Sequence, residues 1–243
     1  MKQDPGVEIL HIDEDIIVVN KPYGFLSIQD RFDANKPNVT GYLKARYDPI
    51  YVLHRLDKET SGIMLFARNE TAHRDLSHQF EKHTLKKKYL ALVEGYVQND
   101  SGTIHKPIAE NKSLGGQMVI SQRGKPSTTL YKVIERFKKY TLVEADILTG
   151  RMHQIRVHFK SFGHPLAIDA MYGNRTELFI SDIKTRKLSV SKYQEEKPLM
   201  SRTTLHACSL DFIHPGTFEA FHIEAPVYKD MRALITQLEK WGR

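Results

Sequence analysis

The sequence predicts an α+β fold built on a mixed, mainly antiparallel β-sheet with flanking helices. Two observations predict it. Short runs rich in Val, Ile, Leu, Tyr and Phe recur along the chain and are joined by brief polar turns, as in a sheet of hairpins. Three segments instead space their apolar residues at helical intervals.

In chain order, "VEILHI" and "IIVVN" flank the turn "DED", and "YVLHRL" and "IMLFA" flank the polar turn "DKETSG". Asn69 is placed to cap a helix over "ETAHRDLSHQFEKH", with Ala72, Leu76 and Phe80 on one apolar face. Four strands follow: "KYLALVEGYV", "QMVIS", "TLYKVIERF" and "YTLVEADI". In "RMHQIRVHFKSFGHP" a second helix carries Met152, Ile155, Phe159 and Phe162 on its buried face, with Gly163 as C-terminal cap and Pro165 as a stop. From Asn174 to Thr203 the chain turns to Lys, Arg, Glu and Ser, which reads as an insertion leaving the core. The strands "TLHACSLDFI" and "TFEAFHIEA" and a final helix burying Met231, Leu234, Ile235, Leu238 and Trp241 complete the chain.

The 243 residues are expected to form a single domain spanning 1–243, with the insertion at 174–203. Cys208 is the only cysteine, which suits a reducing compartment. The start lacks a signal-peptide core, and no apolar run approaches the roughly 18 residues that span a bilayer. A cytoplasmic protein without membrane contact is therefore expected. The formal net charge of +7 directs it toward polyanions, nucleic acid above all, although plain solubility is the alternative.

The segment "VLHRLDKETSG" concentrates unusual chemistry. Strand alternation would turn Val52, His54 and Leu56 to one face and Leu53, Arg55 and Asp57 to the other. Asp57 then stands where strand becomes turn, with Thr60 and Ser61 in reach of its carboxylate or of exposed backbone, and Gly62 free to take positive φ. An ordinary Asx turn among solvated charges is the alternative.

"HRLDKETSG" resembles the HRLD-x-x-TSG signature of the RluA family of pseudouridine synthases. "VVNKPYGFLS", "KKKYLALVEG", "TGRMHQIRVHFKSFGHPLAID" and "LHACSL" resemble the family's other blocks in the same order. The resemblance implies the pseudouridine synthase catalytic fold with a central RNA-binding cleft, no cofactor and no metal. It assigns the catalytic acid to Asp57, its partner cation to Arg156 and the pocket aromatic to Tyr89. On the helix, Arg156 lies about 100° from Ile155 and so can leave the buried face. The resemblance also places Arg55 in the gap left by an extruded nucleotide, with Leu205 and Ile155 as further substrate-binding residues. Lys86 and Lys88, with Lys87, Lys82 and His83 nearby, could hold phosphates, as could Arg123 and Lys125 of "QRGKPS" on an expected loop; solvated surface is the alternative.

His54 is expected to serve as a turn or core hydrogen-bonding residue, and His153 with Gln154 to brace the active loop. No HExxH occurs, His153 and His158 are five apart, and "GKPST" lacks the leading glycine of a P-loop. The implied partner is a ribosomal or transfer RNA stem-loop, with no DNA, and the protein is expected to be a monomer. Many relatives carry an N-terminal S4 module, whereas here core-like sequence begins by Val7, so none is expected. Two other readings are a catalytically silent RNA-binding factor and a metal-dependent nuclease.

Overall fold

The computed structural model describes residues 6–184 and 196–243. Its elements are β1 (Glu8–Ile12), β2 (Ile16–Lys21), α1 (Val39–Tyr47), β3 (Tyr51–Val52), β4 (Ser61–Ala67), α2 (Glu70–Glu81) and β5 (Lys86–Glu94). They continue with β6 (Ser101–His105), β7 (Ile108–Glu110), β8 (Met118–Ile120), β9 (Thr128–Arg136) and β10 (Tyr140–Ile147). Then come α3 (Gln154–Ser161), α4 (Ile180–Ile183), β11 (Leu205–Ile213), β12 (Ala220–Glu224) and α5 (Lys229–Trp241). The result is an α+β fold on a mixed, mainly antiparallel sheet flanked by helices, as the sequence predicts.

The chain divides into two compact units, and it passes from one to the other within β5, within β11 and again between Pro226 and Val227. The first comprises residues 1–88 and 206–226. Here the strands run β1-β2-β4-β11, with β12 added beyond β11 and β3 pairing with β4. Every residue of β2 and β4 is buried, the polar Asn20, Lys21 and Ser61 at one end of the pair included. Their antiparallel register sets Lys21 opposite Gly62. The β4–β11 pair is parallel, with Ala207 opposite Gly62. Gly62 takes φ +116°, and a Cβ there would lie 2.2 Å from the Ala207 carbonyl oxygen, so only glycine lets the two backbones approach. Helix α2 covers one sheet face: the Asn69 side chain accepts from the Ala72 N–H at 2.8 Å, and Ala72 and Leu76 pack with Ile63, Leu65 and Leu210.

In the second unit the strands run β5-β10-β9-β6, and β7 and β8 form a separate hairpin. Its core joins Leu92, Phe137, Tyr140, Leu142 and Ile168 to Met231, Leu234 and Leu238 of α5. Helix α3 begins two residues later than the sequence suggests, because His153 adopts φ +55° just before it. Met152 and Phe162, placed on its buried face by spacing, are exposed, while Ile155, Val157 and Phe159 are buried. The helix ends as predicted on Gly163 at φ +88°, with the N–H groups of Gly163 and His164 donating to the carbonyls of Lys160 and Phe159 in a Schellman cap. Trp241, expected on the buried stripe of α5, is 40% exposed and lies under Lys184 at 4.3 Å.

Four elements escape the sequence patterns, the one-turn helix α4 within the segment 174–203 among them. Helix α1, "VTGYLKARY", has no apolar stripe and is started by Asn38, whose side chain accepts from the Gly41 N–H. Strands β6 and β7 are short and polar in part. Within the segment 174–203, expected as an excursion from the core, Leu178, Ile183 and Met200 are buried in the second unit's core. Residues 185–195 of that segment lie outside the described residues.

Candidate active site

The acid-bearing turn is built by satisfying its peptide groups from outside the sheet. Strand β3 stops at Val52, so the alternation expected through Asp57 does not occur. The reason is competition for backbone bonds. His54 Nε2, rather than a neighbouring strand, accepts the Leu65 N–H at 3.0 Å. The Ser27 hydroxyl accepts from the Leu56 N–H at 2.9 Å and donates to the Leu56 carbonyl at 2.6 Å, holding that residue on both sides. Gly24 N–H donates to the Lys58 carbonyl at 3.0 Å, and Thr60 N–H donates to the Asp57 carbonyl at 3.0 Å. Lys21 is fully buried, and its ammonium donates to the carbonyls of Phe25 at 2.8 Å, Pro22 at 3.0 Å and Lys58 at 3.3 Å.

On this fixed turn Leu56 is buried, Asp57 half-buried and Arg55 exposed. His54, stacked on Phe80 at 5.0 Å, is the hydrogen-bonding residue its position suggested. Burial, assisted by the charge of Lys87, lowers its pKa to about 3, so its ring is neutral and its proton sits on Nδ1 while Nε2 accepts. Ser61, expected to support the Asp57 turn, has its hydroxyl 2.9 Å from His206 Nδ1, and His206 Nε2 lies 3.2 Å from the Ala225 carbonyl. Of the expected phosphate-binding residues in this unit, Lys86, Lys82 and His83 are exposed, and Lys87 and Lys88 are half-buried.

The second unit holds the candidate arginine differently. Arg156 does not leave the buried face: it is 3% exposed within α3. Its Nε and Nη2 donate to the two carboxylate oxygens of Asp169 at 2.7 and 2.8 Å, and its guanidinium stands 5.0 Å over the Tyr172 ring. Burial by itself would raise Asp169, but hydrogen bonds and charge from Arg156, with the N–H groups of Met171 and Tyr172, hold its carboxyl below the ordinary range. Polar groups elsewhere on α3 are likewise matched. Gln154 accepts from the Thr149 hydroxyl at 2.7 Å and the Arg151 N–H at 3.1 Å, and donates to the Thr128 carbonyl and Thr129 hydroxyl, both at 3.0 Å. His158 bridges Thr129 and the Lys106 carbonyl, and burial lowers its pKa. His153 Nδ1 lies 2.8 Å from the Tyr172 hydroxyl.

Through Gln154 and His153, side chains tie the 149–153 loop to β9 and to Tyr172. Tyr89, Leu205 and Ile155 are all buried, at 8%, 3% and 4% exposure, on β5, β11 and α3. Arg123 and Lys125 are exposed on a loop.

Lys21, Ser27, His206, Asp169 and Tyr172 were missed as candidates. "NKP" and "AIDAMYG" do carry a signal, since each sets a charge against an apolar run where only a paired group is tolerated.

One further cluster lies in the first unit. His11 Nε2, Asp13 Oδ2 and His214 Nε2 offer ligand atoms within 4.8 Å of one another. The hydrogen bonds favour protons there over a metal. His214 Nδ1 accepts the N–H groups of Gly216 and Thr217, so its proton is on Nε2, which donates to Asp13 at 3.0 Å. Asp13 also accepts from the Asp15 and Ile16 N–H groups. Burial raises its pKa, but the bonds from His11, these N–H groups and His214 together lower it to about 2. Among the described residues no helix is long and apolar enough to cross a membrane.

Residues 15–161 match the family model described as RNA pseudouridylate synthase. The chain is 35% identical over 246 residues to the uncharacterized RNA pseudouridine synthase YlyB of Bacillus subtilis (strain 168), covering 97% of this chain and 74% of that protein. It is 36% identical over 234 residues to ribosomal large subunit pseudouridine synthase C of Escherichia coli (strain K12), covering 95% and 69%. The solved structure of human RNA pseudouridylate synthase domain containing 1 superposes with a TM-score of 0.69 at 29% identity, covering 93% of this chain and 86% of that one. Fold and sequence together define the class, an α+β isomerase of the pseudouridine synthase type. The chain belongs to the RNA pseudouridylate synthase family and is related to its RluA branch.

Proposed function

We propose that the protein isomerises specific uridines in ribosomal RNA, transfer RNA or both, presented in stem-loops, with Asp57 as the catalytic carboxylate. The reaction breaks the bond from N1 of uracil to C1′ of the ribose, rotates the base and joins C5 to C1′. C5 loses a proton and N1 gains one, so electrons balance without a redox partner. Asp57 either adds to C1′ or removes the 2′-proton to give a glycal, and a base then takes the C5 proton. The target nucleotide leaves the stack at an expense of a few kcal/mol, and the exposed Arg55 fills the vacated space. Arg156 supplies positive charge for the reaction and Tyr89 a flat surface for the base. Leu205 and Ile155 contribute apolar wall, and Lys86 and Lys88 hold phosphates. The protein acts as a monomer in the cytoplasm.

The observation that supports this reading best is the turn itself. An acid on an ordinary surface turn does not need its neighbours' peptide groups clamped by a buried serine hydroxyl and a buried ammonium. Release of tritium from RNA labelled at uridine C5 tests it. Wild-type protein is expected to release the label from intact RNA without added metal, and Asp57→Asn to lose at least about a hundredfold in rate. Asp57→Asn turning over at the wild-type rate would overturn the reading.

A further inference from the structure

We propose that the loop from Ile28 to Pro37 is a binding site for an unpaired nucleobase flanking the target uridine, with Phe32 as the stacking surface and Arg31 beside it for the phosphate. The inference rests on the function proposed above and deepens it by specifying single-stranded flanks. Phe32 is 98% exposed. A phenylalanine this open buries none of its ring, yet the loop that carries it is held together by its own hydrogen bonds.

Asp30 accepts the N–H groups of Phe32 at 2.9 Å and Asp33 at 3.0 Å with one oxygen, and the Lys36 ammonium at 3.2 Å with the other. Asp33 accepts the Asn35 N–H at 3.0 Å. The loop's base is closed by Leu26 N–H to the Pro37 carbonyl, Val39 N–H to the Leu26 carbonyl, and both the Thr40 N–H and hydroxyl to the Ser27 carbonyl. These bonds occupy Asp30 and Lys36 with each other, and Arg31, the residue before Phe32, is exposed.

The loop's root fixes where this surface stands. Ser27, its first anchor, is the residue that clamps both peptide groups of Leu56, immediately before Asp57. Phe32 is five residues from Ser27, a reach of at most about 18 Å. An RNA whose target nucleotide is presented to Asp57 therefore has its adjoining nucleotides within range of Phe32. An exposed aromatic ring with an exposed arginine one residue away in sequence suits a nucleotide with its base unstacked, because a π-face accepts any base and a cation can meet its phosphate. Bases inside a duplex have both faces covered and offer nothing to stack on. A protein partner would equally bury the ring, but it would show no preference between the two forms of RNA.

The test uses full-length protein and two synthetic RNAs of matched composition, a hairpin with a uridine-containing unpaired loop and a continuous duplex. Wild type is expected to bind the hairpin more tightly. Phe32→Ala is expected to weaken hairpin binding about tenfold or more and leave duplex binding unchanged, with Phe32→Trp restoring it. On a modified RNA the loss is expected in KM rather than kcat. Equal affinity of wild type and Phe32→Ala for the hairpin, or equal loss on both RNAs, overturns the proposal. If wild type isomerises RNA but Phe32→Ala binds the hairpin normally, only the loop assignment fails. If wild type isomerises none, the enzymatic reading fails while the binding comparison still decides the loop.

Discussion

The turn that carries Asp57 and the helix that carries Arg156 solve one problem, holding a reactive side chain still, by opposite means. On the turn the fixed groups are peptides: Ser27, Lys21 and Gly24 bind the backbone on either side of the half-buried Asp57, and His54 holds the Leu65 N–H of β4. On α3 the fixed groups are side chains, with Arg156 locked to Asp169 and Gln154 and His158 satisfied by hydroxyls, backbone N–H groups and carbonyls. The difference teaches where damage should appear. Loosening a peptide clamp displaces the acid while most of the core remains, so turnover suffers first. Removing a buried ionic partner strands a charge in the interior, so stability suffers first.

The largest expected effect on folding is at Asp169. Asp169→Ala leaves the Arg156 charge without its bidentate partner and is expected to destabilise the protein by about 3–5 kcal/mol, measured by denaturant unfolding. A loss under 1 kcal/mol would mean that α3 is held otherwise.

Ser27→Ala removes both bonds to Leu56 and is expected to take about 1–3 kcal/mol from stability. Its turnover should fall by about a hundredfold, since a displacement on the order of 1 Å is enough for that. Lys21→Met is expected to behave alike, through loss of the three carbonyl contacts. Variants that unfold more readily but turn over normally would erase the contrast between the two regions.

Acid sharpens the comparison further. Asp169 is held below the ordinary carboxylate pKa of about 3.9, so its contribution is present above that pH and is lost as pH falls through its folded value. His54 acts from the other region. Its ring stays neutral down to about pH 3 when folded, whereas the unfolded imidazole takes a proton near 6.5. Stability is therefore expected to fall as pH drops between those values, and His54→Phe to flatten that part of the profile. A pH scan of unfolding midpoints separates the two contributions.

The smallest effect is expected at an exposed lysine. Lys86→Ala should weaken RNA binding evenly across sequences and reduce the salt slope by about one. An unchanged slope would take Lys86 off the RNA surface.

Local signals made much of this legible. Asn69 and Gly163 announce helix ends because capping involves near neighbours, and Gly62 marks a close approach that no other residue permits. Asp57 stood out only through the blocks around it, since an aspartate on a turn has the same local pattern whether or not it reacts. What stayed hidden is long-range. Lys21 reaches a carbonyl 37 residues on, and Ser27 a residue 29 on. Arg156 was expected to leave the buried face because it lies about 100° around the helix from Ile155, and its partner 13 residues later holds it inside. Helix α1 was missed because its stability rests on a cap and two buried residues, Val39 and Leu43, rather than on an apolar stripe.

Chemical mapping of pseudouridines in total RNA tests the central claim most directly, using cells that lack the gene and carry either the wild-type or the Asp57→Asn form. One or more modified uridines should vanish with the gene, return with wild type and stay absent with Asp57→Asn. A map unaltered by loss of the gene, or fully restored by Asp57→Asn, would contradict the account.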